Sequence, residues 1–185
     1  EQMFTEDILD AVAIVTPDFA HADVAVAAAD CGLHMLIEKP LATTAEDVAR
    51  ITAAVESGGV RAMVDLHNRF SPPFNTAQRQ IASGGIGELR TAYMRLNDAK
   101  WVATDMLPWA AQSSILWFLG SHSVDTLRWM FDDEVVRVYS VARSGVLQAL
   151  GVDTVDAYLA TLDFSVGRIR LRAAGWINPN GNPPA

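Results

Sequence analysis

The first 70 residues alternate short apolar runs with longer stretches whose apolar positions recur every three or four residues. Ala11–Val15 is an apolar run closed by Thr16-Pro17, the pattern of a strand buried on both faces. A helix is predicted from Pro17-Asp18 through Val24, Ala25 and Ala28 to Gly32, a residue suited to a helix end. Met35–Ile37 reads as the next strand and ends in Glu38-Lys39-Pro40. Thr43-Thr44-Ala45-Glu46 matches a capping box, in which the Thr43 hydroxyl and the Glu46 carboxylate each satisfy a free backbone N–H. The helix it opens carries Val48, Ile51 and Val55 on one stripe and ends at Gly58-Gly59. A third strand is predicted over Arg61–Leu66. Strand–helix repeats with short loops imply parallel strands joined by right-handed crossovers.

After Phe70 the pattern changes, and Ser71-Pro72-Pro73 marks the junction. A helix is predicted over Phe74–Ala82, a turn at Gly84-Gly85-Ile86-Gly87 and a strand over Leu89–Leu96. Residues 97–112 are irregular and hold Trp101 and Trp109. A longer helix follows from about Ser113 to Phe131, with Leu116, Leu119, Leu127 and Met130 at helical spacing. Strands are predicted over Val135–Arg143, Thr154–Phe164 and Arg168–Trp176, and their short connections suggest antiparallel pairing. In the last strand Arg168, Arg170 and Arg172 share one face, which reads first as solvated and second as a subunit contact. The fold class is therefore α/β, a partial doubly wound (Rossmann-like) parallel sheet over residues 1–70. An α+β domain with a mainly antiparallel sheet is expected over residues 71–185.

Charge narrows the function. The net charge of −8 and the pI near 4.8 argue against a nucleic-acid surface, which needs a basic stripe. No apolar run reaches the length of a membrane span, so no membrane contact is expected. One cysteine, Cys31, leaves no internal disulfide and no metal cluster, which makes a reducing cytoplasmic setting the expectation. Only two lysines, Lys39 and Lys100, stand against twelve arginines, so Lys39 is not one of a scatter of solvating charges. It sits with Glu38 and Pro40 at the C-terminal end of a predicted strand, where open α/β sheets bind ligands. A surface turn with an ion pair explains the tripeptide equally well. His21 lies one turn into the first helix, where a bond to nearby backbone competes with a ligand contact. His122 and Asp125 are three apart on a helix and share a face, with Phe118 and Trp129 near it. A buried, satisfied histidine is the bland account of that face.

Several segments taken in order change the balance: Ala13-Ile14-Val15-Thr16-Pro17, His21, Cys31-Gly32-Leu33-His34 and Glu38-Lys39-Pro40-Leu41-Ala42-Thr43-Thr44. Met63-Val64, Asn68-Arg69-Phe70, Ile81, the 84–87 glycine turn and Gly120-Ser121-His122-Ser123-Val124-Asp125 follow. Together they resemble the Gfo/Idh/MocA oxidoreductases, NAD(P)-dependent enzymes acting mostly on sugars and cyclitols. The resemblance implies NAD or NADP as cofactor and a polyol as small-molecule substrate. It implies Lys39 and His122 as catalytic residues, with Lys39 beside the substrate and the nicotinamide ribose. A lysine ammonium next to a reacting oxygen stabilises developing negative charge and relays a proton. Asp125 is expected to hold a substrate hydroxyl or to orient His122, and Trp109, with Trp101 or Trp176 as alternatives, to line the substrate pocket beside Lys39. Thr16, Pro17, His21, Glu38, Lys39, Pro40 and Arg69 are expected on the cofactor, with Pro40 fixing the backbone under the nicotinamide, a cis bond being one option. A homo-oligomer formed through the C-terminal sheet is the expected assembly.

Two departures stand out. Many members carry an aspartate one helical turn before the histidine, and this chain has Phe118. A carboxylate there would stabilise an imidazolium; without it, weight shifts to Lys39, with Asp98 or Asp105 as other sources of a carboxylate. Second, no Gly-x-Gly-x-x-Gly follows a predicted strand here, and Gly85-Ile86-Gly87 follows a helix. The expectation is a chain lacking roughly sixty residues of a full doubly wound domain at its start, with a C-terminal sheet cut short. A non-catalytic cofactor- or metabolite-binding member, or a structural one, is the alternative to an enzyme.

Overall fold

Three short strands, β1 (Ala11–Ile14), β2 (His34–Ile37) and β3 (Ala62–Val64), pair in parallel in chain order. The computed structural model describes residues 2–5, 8–165 and 170–178 and divides into units Glu1–Leu66 and His67–Ala185. In the first unit, a 3-10 turn at Asp18–Ala20 and helix α1 (His21–Asp30) link β1 to β2, and helix α2 (Ala45–Gly58) links β2 to β3. The two helices pack against each other, so both cover one face of the sheet, as successive crossovers of one hand require. Ile14, Met35 and Ile37 point to that face and join Ala25, Ala28 and Ile51 in a core. The opposite face leaves Leu36 and Met63 exposed. The Ala11–Val15 run is thus buried on one face only, since no described element of this unit covers the other.

Small residues let α1 and α2 approach closely. A Cβ on Gly58 would lie 2.7 Å from the Ala29 carbonyl oxygen, a contact that backbone cannot relax easily. The cap of α2 sits one residue later than the pattern predicts. The Thr44 hydroxyl, not that of Thr43, accepts from the Asp47 N–H at 3.0 Å, and Asp47 takes the place expected for Glu46. The cap satisfies the Asp47 N–H, and the Asp47 carboxylate accepts in turn from the Thr44 hydroxyl and from Arg50.

The second unit opens with a 3-10 turn at His67–Phe70 and α3 (Pro72–Ala82). β4 (Thr91–Ala99) follows, then an irregular stretch with a π turn at Val102–Met106. The helix predicted from Ser113 onward is divided into a π turn at Leu116–Gly120 and α4 (Ser121–Phe131). Its register shift sits at Gly120, where a Cβ would lie 2.7 Å from Leu116 Cδ1 and 3.1 Å from the Tyr158 hydroxyl. β5 (Val135–Arg143), β6 (Ala157–Phe164) and β7 (Arg170–Asn178) complete a sheet of order β4-β7-β6-β5. The β5/β6 and β6/β7 pairs are antiparallel, and β4/β7 is parallel. Met94, Leu127, Leu162 and Phe164 belong to the core between α4 and one sheet face. The other face exposes Tyr93, Tyr139, Val141 and Leu159. Arg168 of the predicted last strand lies outside the described residues, as do the side chains of Arg170, Arg172 and Trp176. Among the described residues, no helix is long and apolar enough to cross a membrane.

Candidate active site

In the first unit the chain leaves β1 and β2 at the same sheet edge. Glu38 N–H donates to the Ile14 carbonyl at 2.9 Å, and Asp65 N–H to the Ile37 carbonyl at 2.8 Å, so the ladder continues into the turns. The Lys39–Pro40 peptide is cis. Lys39 N–H donates to the Glu38 carboxylate at 3.1 Å. Glu38 and Lys39 are half-buried, Pro40 is buried, and Thr16 is exposed beside Pro17.

His21 ties these turns together. It is 1% exposed. Its Nδ1 lies 2.8 Å from the Pro40 carbonyl oxygen and its Nε2 2.9 Å from that of Thr16. A carbonyl can only accept, so either neutral tautomer donates to one of them and the doubly protonated ring donates to both. The helix start at His21 places this ring under both loops. His21 thus meets the backbone of two residues expected at the cofactor.

In the second unit the 3-10 turn docks onto α4 through three consecutive side chains. The His67 ring meets the His122 ring edge-on, with centroids 4.6 Å apart and planes at 63°. Asn68 Nδ2 donates to the Thr126 hydroxyl at 3.4 Å. Arg69 donates from Nε and Nη2 to the two Asp125 carboxylate oxygens at 2.9 and 2.5 Å. Positions 122, 125 and 126 lie on one face of α4, as helical spacing dictates, and all three are buried. The Asp125 carboxylate, hydrogen-bonding with it first and attracting its charge as well, raises the Arg69 guanidinium above its ordinary pKa against some desolvation. Arg69 and Asp125, expected on cofactor and substrate respectively, are bonded to each other.

Phe118 is half-buried and lines a small apolar cavity with Trp109, Leu107 and Ile177. Asp98 lines it too, with one carboxylate oxygen accepting from the Ala99 N–H at 2.8 Å. Asp105 is exposed and bonded by the Thr104 hydroxyl at 2.7 Å. Sequence reasoning missed His67, whose one signal was its place beside Asn68-Arg69. It also missed Tyr158, buried behind Gly120. Burial pushes the Tyr158 phenol above its ordinary pKa, and the nearby Ser123 hydroxyl pulls weakly the other way. The Tyr158 hydroxyl has no hydrogen bond of ordinary geometry among the described residues.

The residues present fit the nicotinamide end of a dinucleotide. The 38–40 turn brings an ammonium, a carboxylate and backbone carbonyls to one sheet edge, tied to the 16–17 loop by His21. Gly32 and Gly59, the positive-φ glycines described in this unit, both close helices, so neither forms a pyrophosphate turn at a helix start. Among the described residues no group of three or more His, Cys, Asp or Glu side chains could hold a metal ion.

Residues 1–66 match the family model "Oxidoreductase family, NAD-binding Rossmann fold", and residues 74–184 match "GFO/IDH/MocA C-terminal domain". Inositol 2-dehydrogenase 1 of Saccharopolyspora erythraea is 29% identical over 162 residues, 86% of this chain and 46% of that protein. Levoglucosan dehydrogenase of Pseudarthrobacter phenanthrenivorans is 33% identical over 129 residues, 64% of this chain and 32% of that protein. The chain therefore spans half or less of these relatives. A solved structure of scyllo-inositol dehydrogenase from Lactobacillus casei, with bound NAD(H) and scyllo-inositol, shares the fold. Its TM-score is 0.81 at 18% identity, over 96% of this chain and 53% of that one.

Proposed function

This chain belongs to the Gfo/Idh/MocA family of oxidoreductases, and from that premise we propose that it carries catalytic residues of an NAD- or NADP-dependent dehydrogenase or reductase acting on a sugar, cyclitol or related polyol. The observation that carries the reading is the Glu38-Lys39-Pro40 turn at the C-terminal end of β2, bound through His21 to the Thr16 loop. A bound nicotinamide supplies the hydride acceptor or donor. Lys39 holds the reacting oxygen: as the neutral amine it takes the hydroxyl proton while hydride leaves the carbon, and as the ammonium it stabilises the negative charge that builds on the oxygen when hydride adds to the carbonyl and returns the proton there. His122 is the second proton-transfer and substrate-binding group. Glu38, Thr16 and Pro17 line the cofactor, and Trp109 faces the substrate. Arg69, Asp125 and His21 serve by holding the groups that touch ligand.

Turnover by the whole protein over a polyol panel with NAD and NADP tests this. Lys39→Met is expected to cut kcat about 10²- to 10⁴-fold, the range of a lost acid–base group. Unchanged kcat in that variant sinks the assignment. One observation, Phe118 in place of a carboxylate beside His122, favours a second reading, a binding member without turnover; tight NADH binding with no turnover of any polyol would establish it.

The assembly we propose is a homo-oligomer across the exposed face of the second sheet, where Tyr93, Tyr139, Val141 and Leu159 lie open. Tyr139→Glu is expected to shift the sedimentation coefficient to that of a monomer. The single cysteine fits a reducing cytoplasmic setting.

A further inference from the structure

Three successive residues of one short turn reach three positions on one face of α4. Arg69 occupies both oxygens of Asp125, and Asn68 bonds Thr126. Those two contacts set the helix against the turn. The remaining one acts on His122 itself: the exposed His67 ring lies against the buried His122 ring, 4.6 Å between centroids and at 63°. Such an edge-on arrangement directs the positive rim of one ring at the face of the other and so prefers one orientation of both.

Neither residue 125 nor residue 118 offers His122 an unengaged carboxylate. Asp125, three residues on, has both oxygens on the Arg69 fork. One turn earlier stands Phe118, which accepts no hydrogen bond and lines the cavity that Asp98 shares.

We propose that His67 is a positioning residue for His122, fixing the imidazole through ring packing where a carboxylate one turn earlier would fix it through a hydrogen bond. The inference rests on His122 being a working group of the site. His67 itself touches no reacting atom in this scheme.

The test compares the intact chain with His67→Ala and His67→Phe. Two readouts follow His122 without cofactor: its imidazole ¹H–¹⁵N resonances and its rate of modification by diethylpyrocarbonate. His67→Ala is expected to move the His122 ring resonances and raise its modification rate about 2- to 13-fold, what an aromatic pair of this geometry is worth. His67→Phe keeps the ring contact without a titrating nitrogen and is expected to restore both. Unchanged resonances and rate in His67→Ala overturn the proposal, and so does a His67→Phe variant that behaves like alanine. In the whole enzyme the expected signature is lower kcat at constant KM for His67→Ala, rescued by phenylalanine. If His122→Ala leaves turnover intact, the catalytic reading of His122 fails, whereas the NMR and modification data judge the ring contact independently.

Discussion

Removing Arg69 leaves the Asp125 carboxylate inside the protein without its fork. Its side chain is 8% exposed, against 40% for that of Arg69. Breaking a fully buried ion pair from one side costs about 3–5 kcal/mol. Here the arginine end is open to water, which screens the pair and lets solvent follow the side chain's departure. The expected cost of Arg69→Ala is therefore about 2–3 kcal/mol. Asp125→Asn leaves an arginine that can turn outward, so about 1–2 kcal/mol is expected. The double variant should cost well short of the sum, with a coupling of about 1–2 kcal/mol. Arg69→Lys should recover less than half of the loss, because one ammonium cannot match two oxygens held in a fork.

The sequence offers a selective assay. All five tryptophans, at 101, 109, 117, 129 and 176, fall in the second unit. Fluorescence during urea unfolding thus follows the unit that holds the pair, even if the first unit melts separately. A cost below about 0.5 kcal/mol for Arg69→Ala, the level of an exposed pair, would refute the claim that this bridge fixes the turn to α4. Strict additivity in the double variant would refute it equally.

His21→Leu removes the buried ring that lies between the Pro40 and Thr16 carbonyls and is expected to destabilise the first unit by about 1–3 kcal/mol, read by faster hydrogen exchange at the Glu38 and Asp65 amides; unaltered exchange means the ring does not tie the turns. Gly58→Ala should destabilise by about 1–2 kcal/mol, because a Cβ 2.7 Å from the Ala29 oxygen outweighs the helix propensity gained, and a rise in melting temperature would show that α1 and α2 are not so closely set. The Tyr158 phenol has a raised pKa, so the folded state keeps its proton while the unfolded state loses it from about pH 10 upward. Its contribution to stability is complete below pH 10 and declines above it. Ultraviolet titration of the folded chain and of Tyr158→Phe should differ by one phenol that ionises above the ordinary tyrosine range; a difference falling within that range contradicts the burial.

Periodicity located the elements well where a local rule decides them. The β5 pattern at Val135–Arg143 and the glycine stop of α2 both follow from side chains a few residues apart. Tertiary geometry decided what the pattern missed. Ala11–Val15 reads as doubly buried because small apolar residues carry no sign of which face has cover. The helix predicted from Ser113 looked continuous because a π turn leaves apolar spacing almost intact; the Tyr158 hydroxyl that leaves little room for a side chain at Gly120 comes from a strand nearly forty residues away. For the site, chemistry singled out Lys39, His122 and Asp125, and the family resemblance added Arg69. Spacing has no means of showing that Arg69 and Asp125 bond to each other across 56 positions.

That pairing bears on how this chain can carry Phe118. A buried imidazole needs something to hold its orientation, and a carboxylate one turn away does so at the cost of desolvating a charge. In this chain the charge lies at Asp125, where the Arg69 fork compensates it and spends it on fixing the 67–69 turn. The turn in turn delivers the His67 ring to His122. Position 118 joins Trp109 and Leu107 in an apolar wall. Asp98, at the far end of β4, is the carboxylate left on that wall. A Phe118→Asp variant then tests the argument: it sets an extra carboxylate in a cavity already holding Asp98. It should lower stability by about 1–3 kcal/mol and, if His122 is already placed by His67, leave kcat no higher. A gain in kcat would mean that the imidazole lacked a holder and that the turn does not supply one.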